Sequence, residues 1–245
     1  MLQQQYDRYT SEDFDVWKIL FERQMPRLRQ VASDAYLDGI EKINFSAEKI
    51  PNFEETNQRL SELTGWTLAV VPGIVPNEVF FRLLKNKQFP ATTWLRKMSQ
   101  LDYLEEPDMF HDVFGHVPLL TNVAFTEYLH AVSDLALDYL ENPRAVEILG
   151  RVYWFTVEFG LIRERSQLKI YGAGILSSGG ETPYALSEIP SHLPFDIAHI
   201  MASSYRQDVF QEKYFVIDSY EQLYDSIGQM KNTLKQMLRA NAILS

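Results

Sequence analysis

The sequence predicts an α+β protein that is mainly helical and carries a few short strands. Apolar residues recur at helical spacing through the first quarter of the chain and again near its end. Three short runs rich in β-branched and aromatic residues, 66–71, 88–94 and 214–217, interrupt that spacing and indicate strands. Because no repeat or low-complexity linker divides the 245 residues, we expect a single domain over residues 1–245.

Composition narrows the class of protein. Hydrophobic residues make up 46% and charged residues 23% of the chain, as in ordinary soluble globular proteins. The absence of cysteine excludes disulfides, zinc–thiolate sites and iron–sulfur clusters. A net charge of −10 without a basic run argues against nucleic-acid and membrane-surface partners. The first residues do not read as a signal peptide and no apolar run is long enough to cross a bilayer, so we expect a cytoplasmic location.

The first quarter of the chain predicts three helices after a polar segment. Residues 1–9 are expected to be a frayed, disordered tail. A first helix follows, and Pro26 is expected to begin a second helix that ends near Gly39. A third helix is predicted from Phe53 to Leu63.

The remaining elements follow in order. A helix begins at Pro76 between the first two predicted strands, and an acid-rich loop over 101–108 precedes a short helix. Further helices are predicted over 122–140, from Pro143 to about Arg165, over 195–205 and from 218 onward. The glycines of 172–180 lack the strand and acid of a dinucleotide site, so we expect a tight turn or hairpin there.

Two histidines and one carboxylate stand out from this framework. His111 and His116 lie in one short segment, and Glu158 is alone in an apolar helical run. Two imidazoles and one carboxylate form the facial triad that holds non-haem Fe(II) and leaves positions open for oxygen chemistry. We therefore expect these three residues to be catalytic and to bind iron.

The spacing of the two histidines imposes a structural condition. Residues five positions apart lie roughly 140° apart around a regular α-helix, so His111 and His116 cannot share one face of a straight helix. They converge only if Gly115, whose backbone is permissive, ends or distorts the helix.

Glu158 imposes a second condition. On a continuous helix it would share its face with Trp154, Leu161 and Ile162. An unpaired carboxylate on such a face is costly unless it finds a cation or becomes protonated.

Other interpretations of these residues remain open on chemistry alone. A buried histidine is commonly a hydrogen-bonded core residue. A zinc hydrolase is a competitor, although its His-Glu-x-x-His pattern is absent because Asp112 follows His111. A metal-binding protein without catalytic activity is another. The many aromatic residues around the three candidates favour a site that excludes water and stacks flat rings.

Three ordered segments resemble a known family. Residues 101–120, 153–161 and 171–178 are similar to the signatures of the pterin-dependent aromatic amino acid hydroxylases, and the resemblance extends from about Tyr9 to about Tyr220. Within this family, the chain, which is short at 245 residues, is most similar to the bacterial members that act on phenylalanine. The resemblance implies a single catalytic domain of the hydroxylase type, with a few short strands around a central non-haem iron.

The resemblance also implies a role for individual residues. His111, His116 and Glu158 match the iron ligands. Arg96 matches the arginine that holds the substrate carboxylate, for which a guanidinium fork is suited, and Asp108 would brace it. The residues expected to line the amino-acid pocket are Trp154 and Ser177. Those expected to stack on, contact or border the pterin are Phe80, Gly73, Asp112 and Tyr153.

The activity that the resemblance implies is a monooxygenase reaction. Fe(II) and a tetrahydropterin, either tetrahydrobiopterin or a related bacterial pterin, would support hydroxylation of L-phenylalanine to L-tyrosine with O2, as in phenylalanine catabolism. A monomer is expected. A tryptophan hydroxylase of the same fold remains the alternative. Leu104 and Asp112 depart from the animal pattern of threonine and glutamate, which affects the detailed contacts to substrate and pterin rather than the reaction.

Overall fold

A computed structural model describes residues 2–102 and 104–244 of the chain, and side chains through residue 240. Tyr103, inside the first family signature, lies outside the described residues. The α-helices are α1 Ser11–Val31, α2 Asp34–Lys42, α3 Phe53–Thr64, α4 Asn77–Lys85, α5 Val123–Leu137, α6 Pro143–Tyr153, α7 Ala173–Leu176, α8 Glu181–Ala185, α9 Ile197–Ala202, α10 Tyr220–Asp225 and α11 Ile227–Leu244. The strands are β1 Thr67–Val70, β2 Gln88–Ala91, β3 Leu161–Glu164, β4 Gln167–Ile170, β5 Ser191–Pro194 and β6 Lys213–Ile217. The mainly helical α+β prediction is confirmed.

Two segments have a wider helical winding than an α-helix. Phe110–His116 and Trp154–Glu158 are π-helices, in which backbone hydrogen bonds span five residues instead of four. A 3-10 helix, Val117–Thr121, follows the first of them. Both π-helices contain predicted metal ligands.

The first long helix differs from the expectation. Pro26 lies inside α1 and does not begin a new helix. Buried residues on both sides of the proline, Met25 and Leu28 among them, hold the segment against the core, so tertiary packing overrides the missing backbone N–H. The break comes at Ala32, which is extended, and Ser33 caps α2 by accepting a hydrogen bond from the Tyr36 N–H.

The N-terminal segment also differs from the expectation of a frayed tail. The Gln4 side chain donates to the Pro51 carbonyl and accepts from the Phe53 N–H. The Tyr6 hydroxyl donates to the Ile50 carbonyl. The Tyr9 hydroxyl donates to the Thr93 carbonyl at 2.6 Å. These polar contacts fix residues 4–9 to the segment 50–53 and to Thr93, which apolar periodicity does not reveal.

The strands form two small sheets. β1 and β2 pair in parallel, and the other four strands have the order β4-β3-β6-β5. β3 and β4 form a tight hairpin whose two turn residues, Arg165 and Ser166, have φ of 48° and 65°. Positive φ at both positions is the mark of the type I′ turn that suits the twist of a two-residue hairpin.

The helix predicted from Pro143 to about Arg165 is wrong beyond Glu158. The chain leaves the helix at Phe159, and β3 begins at Leu161. A Cβ on Gly160 would lie 2.1 Å from the Tyr171 ring, so the glycine permits this close exit. Leu161 and Ile162 then pair with β6 instead of sharing a helical face with Glu158. The predicted turn or hairpin at 172–180 is correct only in part. The single-turn helix α7 occupies 173–176, turn residues follow at 177, 179 and 180, and α8 begins at Glu181.

The first π-helix lies in the centre of the core. Phe110 and Phe114 are fully buried and stack on each other at 4.5 Å. Trp17 and Phe21 of α1 meet them edge-on. The backbone that carries the two histidines is therefore held by packed rings on its inner side.

None of the helices in the described part of the chain combines the length and apolar character of a membrane span.

Candidate metal centre

The winding of the first π-helix brings the two histidines together. Five positions complete more than one turn of an α-helix, but a backbone with i→i+5 hydrogen bonds places such residues near one face. His111 and His116 thus converge without a helix end. Gly115 has no positive φ. Its role is close packing, because a Cβ there would lie 3.0 Å from the Ala173 carbonyl oxygen.

Glu158 ends the second π-helix and meets the histidines. Its Oε1 lies 3.2 Å from His116 Nε2, and its Oε2 lies 3.6 Å from His111 Nε2. The two Nε2 atoms are 3.3 Å apart. One ligand atom from each residue falls within 4.8 Å of the others. Two imidazole nitrogens and one carboxylate converging on a point fit a divalent cation with an open side, as a facial triad requires.

The hydrogen bond to Ser177 favours one tautomer of His111. The Ser177 hydroxyl donates to the Ala173 carbonyl at 2.8 Å. Its oxygen is therefore free to accept from His111 Nδ1, which lies 2.9 Å away. This bond keeps the proton on Nδ1 and leaves the Nε2 lone pair for a metal.

The electrostatics of Glu158 favour its charged form. Burial raises the pKa of the carboxyl, but the adjacent His116 and His111 more than offset this effect, and the net pKa lies below the ordinary value. Its side chain is 14% exposed. A divalent cation held by Glu158 and the two imidazoles would meet the cation requirement inferred from the sequence.

A buried ion pair lies beside the triad. Asp108 is completely buried and accepts from Arg96 Nε and Nη2, both at 2.9 Å. It also accepts from the Arg96 backbone N–H at 3.0 Å and from the His111 backbone N–H at 3.3 Å. The carboxylate thus fixes both the guanidinium and the start of the ligand helix.

Asp112 links the ligand helix to the end of β2. One of its carboxylate oxygens accepts from both the backbone N–H and the hydroxyl of Thr92, each at 2.8 Å. Burial raises the pKa of Asp112, an effect that the histidines and Thr92 only partly oppose.

Two cavities open onto His111. The larger, about 940 Å³, is lined by Arg96, Leu104, Phe159 and Ser177 among others. The smaller, about 340 Å³, contains the complete triad in its lining. A groove of about 1070 Å³ at the N-terminal segment is larger still, but no triad residue lines it.

The predicted site residues divide between these two cavities. Phe80, Gly73, Asp112 and Tyr153, predicted for the pterin, all line the smaller cavity. Of the residues predicted for the amino acid, Arg96 and Ser177 line the larger cavity, and Asp108 lies behind Arg96.

Trp154 has a different location from the other predicted amino-acid residues. It lines the smaller cavity and stacks on Tyr205 at 4.3 Å. Its ring also contacts Phe159, which lines the larger cavity, at 4.5 Å. Trp154 therefore lies where the two cavities adjoin.

Sequence reasoning missed several residues at the site. Phe89 of β2 packs against the His116 ring at 4.8 Å. Gln207 lines both cavities, and Gln211 accepts a hydrogen bond from the Trp154 indole. The sequence offers little signal for the two glutamines beyond their place before the strand predicted at 214–217. The contact of Gln211 with Trp154 spans 57 positions, which local patterns do not reveal.

Comparisons with known proteins agree with this geometry. The model of the family described as biopterin-dependent aromatic amino acid hydroxylase matches residues 5–242. The phenylalanine-4-hydroxylase of Ralstonia nicotianae is 48% identical over 226 residues, which cover 92% of this chain and 72% of the relative.

Solved structures are similar over nearly the whole chain. The Chromobacterium violaceum phenylalanine hydroxylase with bound iron(III) and oxidised cofactor 7,8-dihydrobiopterin superimposes with a TM-score of 0.92 at 45% identity, over 98% of this chain and 86% of that one. The iron- and phenylalanine-bound structure from the same organism gives 0.91 at 43% identity, over 97% and 87%.

Proposed function

The chain belongs to the family of biopterin-dependent aromatic amino acid hydroxylases, and from this membership we propose how its own residues carry out the reaction. The protein is an iron- and tetrahydropterin-dependent monooxygenase that hydroxylates L-phenylalanine to L-tyrosine with O2. The observation that carries the residue assignment is the convergence of His111, His116 and Glu158 at the junction of two cavities.

We assign the metal to these three side chains. The ferrous ion and the tetrahydropterin, when bound, together supply the reductive activation of O2, with the pterin as two-electron donor. The protein contributes the ligand atoms, the orientation of His111 through Ser177, and the buried ring packing that keeps the ligand helix rigid.

We assign the larger cavity to the amino acid. Arg96 uses its Nε and Nη2 on Asp108. Its Nη1 makes only a long hydrogen bond of 3.5 Å to the Leu101 carbonyl, so we assign Nη1 to the substrate carboxylate. The pair is nearly buried, with side chains 11% and 0% exposed. In such a setting a charge-assisted hydrogen bond to a carboxylate is strong, and the substrate ring is directed from there toward the triad.

We assign the smaller cavity to the pterin. Phe80 offers an aromatic ring, held edge-on by Tyr153 at 5.3 Å, on which a flat ring can stack. Asp112, fixed by Thr92, and Gly73 line the same cavity. Because both cavities include His111 in their lining, pterin and amino acid would meet at the metal from two sides, and the surrounding rings exclude water.

A direct assay tests this function. Purified protein with Fe(II), a tetrahydropterin, O2 and phenylalanine is expected to form tyrosine, and with tryptophan to form little hydroxylated product. The name phenylalanine-4-hydroxylase, which the similar proteins carry, supports phenylalanine rather than tryptophan as the substrate of this chain. Preferential hydroxylation of tryptophan, or tyrosine formation that does not need the pterin, would contradict the proposal.

That the enzyme is monomeric and cytoplasmic stays a prediction. Light scattering on the purified protein tests whether it is a monomer.

A further inference from the structure

One loop borders both cavities. It comprises residues 203–212, between α9 and β6, and is called here the 203–212 loop. Tyr205 and Gln207 line the smaller cavity, and Gln207 to Gln211 line the larger. Most of the loop is exposed, but Gln211 is only 5% exposed. A buried amide needs hydrogen-bond partners, so the partners of the Gln211 side chain indicate which parts of the structure it connects.

The Gln211 side chain makes three hydrogen bonds that leave no freedom in its orientation. Its Oε1 accepts from Trp154 Nε1–H at 2.9 Å. Its Nε2 donates to the carbonyls of Arg206 at 2.9 Å and of Val209 at 3.1 Å. The indole N–H is a donor only and the carbonyls are acceptors only, so a flipped amide would lose all three bonds.

The backbone of Gln211 is fixed as well. Its N–H donates to Glu181 Oε1 at 3.2 Å, and the Tyr214 hydroxyl donates to the same oxygen. Glu181 is itself buried. Glu181 of α8 and Tyr214 of β6 therefore hold the backbone of Gln211 in place. From this position the side chain bonds to the Trp154 indole and to two carbonyls of the loop.

The indole that Gln211 holds is the ring at the boundary of the cavities. Trp154 lies in the stack with Tyr205 and Phe159. Phe159 faces the larger cavity, and Trp154 begins the π-helix that ends at Glu158. A rotation of the indole would displace Phe159 and enlarge the space available to a substrate ring.

We propose that Gln211 is a positioning residue for the hydroxylation, which holds Trp154 and the 203–212 loop to each other and thereby restricts the site to a single-ring side chain. This inference rests on the proposed function. Loss of the side-chain contacts frees the indole and opens the loop, so the larger bicyclic ring of tryptophan is admitted. The effect on ring discrimination passes through Trp154.

The first test is a substrate comparison with the variant Gln211→Met, which keeps the length of the side chain and removes its hydrogen bonds. The ratio of kcat/KM for phenylalanine to kcat/KM for tryptophan is expected to fall roughly ten-fold or more, the size typical of a specificity set by pocket shape. Tyr220→Phe is the matched control, because it removes one buried hydrogen bond, that to Ser33, without touching the loop. An unchanged ratio in Gln211→Met overturns the proposal.

The second test does not depend on activity. Trypsin cleaves after arginine, and the scissile carbonyl after Arg206 is one of the two that Gln211 holds. Arg206 itself is exposed. Cleavage at Arg206–Gln207, followed by mass spectrometry on the folded enzyme, is expected to be at least about five-fold faster in Gln211→Met and unchanged in Tyr220→Phe. Cleavage at the wild-type rate overturns the proposal even if the substrate ratio has changed.

A double variant tests the route of the effect. If Gln211 acts through Trp154, then Trp154→Phe and Trp154→Phe/Gln211→Met have the same substrate ratio. A further multiplicative loss in the double variant overturns that route.

If Gln211→Met does not fold, Gln211→Glu replaces it. Glutamate keeps an acceptor for the indole but lacks the amide that donates to the two carbonyls, so faster cleavage is again expected. A wild-type protein that makes no tyrosine refutes the proposed function, whereas the cleavage rates still decide whether Gln211 holds the loop.

Discussion

The Oγ of Ser177 lies 2.9 Å from Nδ1 of His111 and donates its own proton to the Ala173 carbonyl. The serine therefore acts as an acceptor toward the imidazole and selects the tautomer whose Nε2 is available to the metal. Residues 66 positions apart in the chain are joined by this bond.

Ser177→Ala should weaken iron binding by roughly ten-fold or more, because it removes the bond that orients a metal-bound imidazole. Competition with a chelator, read as iron content at each chelator concentration, measures the affinity. Ser187→Ala removes a comparable hydroxyl-to-carbonyl bond outside both cavities and should have no effect. Equal affinity in both variants would refute the orienting role.

Glu158→Ala, like His111→Ala and His116→Ala, should yield a folded protein that does not retain iron, since two ligands are too few for a stable facial site. Metal analysis after gel filtration, together with circular dichroism, provides the measurement. Removal of the buried carboxylate also leaves the two histidines without their anionic neighbour. Full iron occupancy in any one variant would remove that residue from the ligand set.

Arg96→Lys should raise the KM for phenylalanine by about ten-fold or more while kcat changes less, because a lysine cannot contact Asp108 bidentately and a substrate carboxylate at once. Arg96→Ala should raise the KM as well, and should also destabilise the fold by about 3–5 kcal/mol because Asp108 is left as a buried, unpaired charge. Steady-state kinetics and urea denaturation separate the two effects. A KM equal to that of the wild type in Arg96→Lys would exclude Arg96 from carboxylate binding.

Ser166→Gly should stabilise the protein by roughly 1 kcal/mol, because Ser166 has a φ of 65° that glycine adopts without strain. The matched control is Ser61→Gly, at an exposed position in the last turn of α3, which should destabilise the protein by about 0.5 kcal/mol. Urea denaturation midpoints give both values. Destabilisation by Ser166→Gly would mean that the contacts of the serine side chain stabilise the fold by more than its positive φ destabilises it.

Glu181→Gln should change how stability depends on pH. Burial raises the pKa of Glu181 above its ordinary value of 4.5, so the folded state retains a proton that the unfolded chain releases. The wild type therefore loses stability as the pH rises from the unfolded pKa through the folded one. Glutamine keeps an acceptor for Tyr214 and Gln211 but does not ionise.

The Glu181→Gln variant should consequently gain stability relative to the wild type as the pH rises above 4.5, the ordinary pKa of the carboxyl. Denaturant midpoints at several pH values test this expectation. Parallel curves for the two proteins would show that Glu181 titrates at the same pH in both states.

Much of the fold and of the site could be predicted from the sequence, because the decisive signals are local. Helical spacing located most helices, and short β-branched runs located β1, β2 and β6. The family signatures contain the three residues that the structure brings together. The position of Pro26 inside α1 could not be predicted, because packing of buried neighbours decides it.

Other features depend on contacts that spacing does not encode. Leu161 and Ile162 extend the apolar run that predicts a continuing helix, and the pairing of this segment with β4 and β6 is what makes it a strand. The attachment of residues 4–9 rests on side-chain bonds to Pro51 and Thr93, far along the chain. The contact of Gln211 with Trp154 spans 57 positions. The predicted distortion of the histidine segment is present as π-helical winding through Gly115. The glycine has no positive φ there, and it permits close packing against Ala173.

The wide winding of both ligand segments means that the metal site depends on the number of residues as much as on their identity. A helix with i→i+5 bonds contains one more residue per hydrogen-bonded loop than an α-helix. Loss of a single codon within 110–116 or 154–158 would let the backbone relax to ordinary α-helix and rotate the later residues away from the centre. We therefore expect the positions of these stretches other than the three ligands to accept conservative replacements more readily than an insertion or deletion, whereas the surface turns between the other elements accept both.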